Sequence, residues 1–307
     1  MKKNHKTSIG GQAVIEGVMM RGPALSALAV RTPGGDISLE QWENPPTTAW
    51  YRKAPFIRGI FNFGSSLSLG YKCLMRSATI AGFEEESSKF DQWLEKKIGK
   101  SRLSAAAQIF SLIVGIALAI GLFTVLPTVL VGFVSGFFES NILRSAIEGA
   151  VRIAILVLYM VAVSYIPDIR RVFSYHGAEH KTIACYESGE ALTVDNVRTK
   201  SRFHPRCGTS FLLIVMVISI LVFSFISWEN VFTRVFLRIA LLPVVVGIAY
   251  EIIKLTGRHS NPFTRLIASP GLWLQKITTN EPDDAQIEVA IASMQPVIPQ
   301  EQGSDEW

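Results

Sequence analysis

Cysteine is scarce in this chain. Its 307 residues hold only Cys73, Cys185 and Cys207, an odd number without CxxC spacing. That excludes a disulfide framework, and each thiol falls in a segment expected on the reducing side of a membrane. Basic residues form no run of five or more. The net charge of +5 and pI near 9.1 therefore point to membrane orientation and not to specific nucleic-acid binding. The opening MKKNHKTSIGGQ leads into glycines and a glutamate instead of an apolar run, so no cleavable signal peptide is expected. Charge itself is thin: 18% of residues are charged against 49% hydrophobic. That is more apolar surface than one soluble core of this size requires.

The apolar surface is concentrated in four segments. No charge occurs between Arg102 and Glu139, a run long enough to span once, with Pro127 at a kink or exit. Further spans are expected over 149–167, 208–228 and 235–255. The last of these is bounded by Arg238, Glu251 and Lys254, and Glu251 is expected to pair with Lys254. Of the thirty Lys and Arg residues, twenty-six fall in residues 1–107, 168–210 and 254–307. The bias puts both termini and the central loop on the cytoplasmic face of the cell membrane. The fold class expected is mainly α: a polytopic helical membrane protein of about four spans, with a small N-terminal β-sheet region and amphipathic helices on the cytoplasmic face.

Residues 1–54 form the β-rich region. The runs AVIEGVMMRGP and SALAVRTPGGDISLE flank a turn signal at Pro33–Asp36. Gly10, Gly11, Gly17 and Gly22 are expected at turns or bulges, with Glu16 and Arg21 beside them as polar groups able to face a site. Residues 55–102 read as a basic amphipathic helix up to Gly82, lying on the membrane surface, followed by a charged helix or linker. The membrane region is 103–255 and contains the loop 168–207. The tail, 256–307, begins with an interfacial helix around SPGLWLQKITT and ends in a helix opened by Pro282, Asp283 and Asp284 that runs to about Met294.

The central loop carries the chemistry. His176, Glu179 and His180 form HxxEH, the inverted zinc-protease pattern, and on a helix both imidazoles share a face with the carboxylate. HPRC follows, and His204 and Cys207 supply two more ligands suited to zinc. If all four bind, the shell is closed and structural. If one stays free, an open position activates water with Glu179 as base. Glu187 and Glu190 read as surface carboxylates.

Three strings, GGQAVIEGVMMRGP, YHGAEHKTIACYE and FHPRCGTSFL, together with SPGLWLQKITTNEPDD in the tail, resemble the YqhQ-like family of bacterial membrane proteins. The resemblance covers nearly the whole chain and implies a metal-dependent enzyme of unassigned function. It places the divalent metal on His176, His180, His204 and Cys207, with Glu179 beside them. The combined expectation is a zinc-dependent hydrolase at the cytoplasmic membrane face. The alternative is a non-catalytic membrane scaffold with a structural His3Cys site that recruits a cytoplasmic protein partner. Transport fits less well, because the uncharged first and third spans offer no midplane ligands.

Overall fold

A computed structural model describes residues 6–45, 49–83, 100–137, 140–226, 230–258, 261–301 and 303–306. The fold is mainly helical with one small antiparallel sheet. The chain divides into two compact units, one of residues 1–83, 157–218 and 242–307, the other of 84–156 and 219–241.

The first unit is built on a four-stranded meander: β1 (Gly10–Val14), β2 (Gly17–Arg21), β3 (Leu25–Arg31) and β4 (Ile37–Glu43), in the order β1-β2-β3-β4. The expected turn closes β3 onto β4, with Thr32 N–H donating to the Asp36 carbonyl and Gly35 at φ 92°. Alternate residues face opposite ways. Val18, Met20, Ala27 and Ala29 pack against the helices α5 (Pro167–Glu187) and α10 (Asp284–Met294). Met19, Leu28 and Val30 pack around Cys73 of helix α1 (Ile57–Ile80). Gly10, Gly11 and Gly17 are strand residues, not turns, and a Cβ on Gly11 or Gly17 would stand within 2.6 Å of a neighbouring carbonyl.

Helix α1 matches the amphipathic segment expected. It is tied to the end of helix α8 (Val231–Arg258): the Arg58 guanidinium donates twice to Glu251, and Phe56 N–H donates to the same carboxylate at 3.1 Å. Arg58 is thus a hydrogen-bonded partner of Glu251 in addition to the Lys254 charge expected beside it, and Gly59 and Gly247 let the two helices approach closely. The charged stretch 84–99 lies outside the described residues.

Among the described residues, three helical runs are long and apolar enough to cross a bilayer: Ile109–Val134, Asn141–Ser164 and Phe232–Gly257. The first joins α2 (Lys100–Ile120) to α3 (Leu126–Val134) through a π-helical turn at Gly121–Val125. Pro127 lacks an N–H and its ring crowds the carbonyl four residues back, so the ladder widens there. The second, α4, starts at Asn141, eight residues before the expected boundary at Gly149, and ends at Ser164. Two of its early charges, Glu148 and Arg152, pair with each other. The expected third span is the helix α7 (Gly208–Phe223), whose 16 residues reach only ~24 Å at 1.5 Å per residue, against ~30 Å of hydrocarbon.

In the second unit a buried ionic cluster joins these apolar helices. Arg238 donates twice to Glu148 and once to Thr128 Oγ1 at 2.5 Å. Arg152 bonds Glu148 at 3.1 Å and Ser219 at 3.0 Å. Both guanidinium groups lie over the Phe223 ring. All the charged members are at most 5% exposed, so this is a buried charge network inside the unit.

Candidate functional site

Helix α5 carries HxxEH. Pro167 occupies its first turn with Asp168, and Gly189 at φ 71° follows its end, a standard start and stop for a helix. His176, Glu179 and His180 therefore sit on one face, as expected. HPRC is a separate loop, held by α9 (Pro262–Thr278). Gln275 of α9 forms a reciprocal pair with the His204 backbone, accepting its N–H and donating to its carbonyl, both at 2.8 Å. One turn earlier, Gly271 has no side chain, which lets Ser210 approach.

Three of the four expected ligands converge. The ligand atoms of His176, His180 and Cys207 all lie within 4.8 Å of one another. His176 Nε2 stands 3.1 Å from Cys207 Sγ, and its Nδ1 lies 2.9 Å from the Thr278 carbonyl. His180 Nδ1 lies 2.6 Å from the Arg202 carbonyl. A carbonyl only accepts, so Nδ1 carries the proton in both rings and Nε2 is turned to the shared centre. The His180 Nε2 is buried and has no hydrogen-bond partner among the described residues. That orphaned atom, beside an imidazole and a thiol, fits a metal such as zinc.

The electrostatics agree. Burial alone would push the Cys207 thiol up, yet the facing His176 and His180 hold it well below its ordinary value. Burial pulls His176 down, but Cys207, Glu179 and the Thr278 carbonyl raise it to about 9. A proton shared between these two groups is what a metal would displace. Burial pushes Glu179 up, against the two imidazoles and a backbone N–H from Gly11.

His204 is adjacent, its ring 5.6 Å from that of His180, but it faces other partners. Its Nε2 lies 3.2 Å from Arg206 and 3.6 Å from Glu187. Glu187 also pairs with Arg206 and accepts the Thr7 N–H, so it is an inner carboxylate and not a surface one. It lies seven residues after His180, two helical turns along the same face, a spacing from which its position could have been read. Glu190, in contrast, pairs with Lys200 near the surface. Glu16 is held by Arg171 and Tyr175, and Arg21 lines a separate cavity.

Two features had no readable signal. Backbone carbonyls orient both imidazoles, and Gly177 inside the motif lets the tail cross α5: a Cβ there would fall 2.0 Å from the Asn280 carbonyl. Beside the centre is a cleft of about 630 Å³, whose lining includes His176, Glu179, His180, His204 and Cys207.

Comparison with known proteins gives relatives without an assigned activity. The chain is 37% identical over 294 residues to "Uncharacterized protein YqhQ" of Bacillus subtilis, covering 94% of this chain and 92% of that one. No solved structure matches. Residues 54–300 match the family described as "Protein of unknown function (DUF1385)", and to that family the chain belongs.

Proposed function

We propose that the chain is a membrane-embedded, divalent-metal-dependent hydrolase, with His176, His180 and Cys207 as ligands and Glu179 as general base. One observation carries this reading: the ligand atoms of His176, His180 and Cys207 lie within 4.8 Å of one another, and among the described residues the buried Nε2 of His180 has no hydrogen-bond partner while its Nδ1 faces the Arg202 carbonyl. A buried polar atom left unsatisfied is costly, and a metal ligand is the group this one is positioned to be. Two imidazoles and a thiolate suit zinc. Bound there, the ion would supply Lewis acidity and lower the pKa of water.

The chain's own groups do the rest. Carbonyls of Thr278 and Arg202 hold the imidazoles, and the backbone of Gly11 packs against Glu179, the group that would take a proton from water. Burial raises the proton affinity of that carboxylate, as a base near neutrality requires. Three ligands, not four, leave a position for reaction, and His204 is engaged by Glu187 and Arg206. Membrane residence is supported by the three long apolar helices, and cytoplasmic termini by the Lys and Arg bias.

The second reading is the scaffold that binds a cytoplasmic protein, favoured by the proximity of His204 as a fourth, closing ligand. Glu179→Gln separates the two. On a panel of p-nitrophenyl esters, amides and phosphates, with zinc-loaded protein in detergent, the variant should keep its zinc and lose hydrolysis. Turnover by the wild type that Glu179→Gln leaves unchanged would overturn the hydrolase assignment.

A further inference from the structure

We propose that the cleft takes a single-chain amphiphile drawn from the bilayer, its acyl chain along α1 and its ester or amide linkage at His176, His180 and Cys207. The proposal rests on the hydrolase reading and names the substrate class for that site. At about 630 Å³ the cleft is the size of a pocket for one small-molecule ligand. Its lining combines the metal-ligating groups and Glu179 with an apolar wall of Phe63, Leu67, Val172, Phe173, Phe211 and Ile253. The Phe63 and Phe211 rings lie 5.5 Å apart within that wall.

The apolar wall continues outward. Leu67 is 58% exposed, and α1 also exposes Phe56, Ile57, Ile60 and Phe61. An exposed apolar strip of this kind marks a membrane or partner surface. Arg58, Gly59 and Glu251 fix α1 against α8, one of the helices long enough to cross a bilayer, so lipid is the phase this strip would meet. A peptide adding as a strand to the edge of β1 fits less well, because Glu179 already packs against Gly11 there.

The step balances with water alone. The bond from the acyl carbon to its ester oxygen or amide nitrogen breaks, and the water hydroxyl joins the acyl carbon. Glu179 carries the water proton to the departing atom.

The test uses lysophosphatidylcholine with a photoactivatable diazirine in its acyl chain, crosslinked to the full-length, zinc-loaded protein and mapped by mass spectrometry. Crosslinks should concentrate on Phe63, Leu67 and Phe211 and be competed by unlabelled lysophosphatidylcholine. Ser66→Trp, which narrows the cleft, should cut them about tenfold, equivalent to roughly 1.4 kcal/mol, while crosslinks on the outer faces of the long apolar helices stay unchanged. Leu67→Glu is the second variant, at an exposed position that folding tolerates, and should act alike. His176→Ala should keep the crosslinks while losing zinc. Cleft crosslinks in a wild type that holds no zinc would overturn the metal reading and keep the amphiphile. Stoichiometric zinc with no crosslinks in the cleft, crosslinks indifferent to both wall variants, or displacement by an apolar peptide alone would overturn the amphiphile.

Discussion

Gly11 of β1 packs against Glu179 on α5: a Cβ added to Gly11 would stand 3.0 Å from Glu179 Cγ and 2.6 Å from the Met19 carbonyl. The sheet thus touches the HxxEH carboxylate through a residue that has no side chain.

Gly11→Ala should therefore displace Glu179 and the strand together. The overpacking should destabilise the protein by about 1–3 kcal/mol. Metal content should persist while p-nitrophenyl ester hydrolysis drops sharply. Thermal unfolding and turnover measured on one preparation check this. A variant with wild-type values in both would mean that the contact is unimportant.

The central loop was legible because its chemistry is local. HxxEH places two imidazoles and a carboxylate on one helical face wherever the helix lies, and Cys207 follows as a ligand of matching softness. His204 was read as a ligand too, and its commitment to Glu187 and Arg206 depends on how the loop returns to α5. Gly11 and Gly177 were opaque for a related reason. A glycine that admits a distant backbone looks, in sequence, like one that turns the chain. The fold was legible where periodicity is strong, in α1, the β3–β4 turn and the capped tail helix. The start of α4 was missed because Glu148 resembles a membrane boundary until Arg238 and Arg152 are found beside it.

Glu148→Gln tests that cluster. One carboxylate answers two buried guanidinium groups, so its loss should destabilise the protein by roughly 3–5 kcal/mol. In thermal unfolding of the detergent-purified protein this is a fall in Tm on the order of 10 °C. The double variant Glu148→Met with Arg238→Met should fall less, because it removes a pair and not a partner. A single variant as stable as wild type would mean that the cluster carries no net stability.

Glu16 offers a pH test away from the metal centre. The Arg171 hydrogen bonds hold its carboxyl below the ordinary value of 4.5, against partial burial. A depressed folded pKa gives stability that is present above the unfolded value and lost as pH falls through the folded one. The pair is partly exposed, so the term should be under about 1 kcal/mol. Urea midpoints should show wild type losing more stability than Glu16→Gln as pH drops below 4.5. Parallel pH profiles would contradict the assignment.

Binding of one metal ion by His176, His180 and Cys207 is the proposal on which the hydrolase reading stands. Elemental analysis of detergent-purified protein measures it. Close to one zinc or similar divalent ion per chain is expected, lost in His176→Ala, His180→Ala and Cys207→Ala and kept in Glu179→Gln. Absence of stoichiometric metal from the wild type, or its retention after both histidines are replaced, would contradict it.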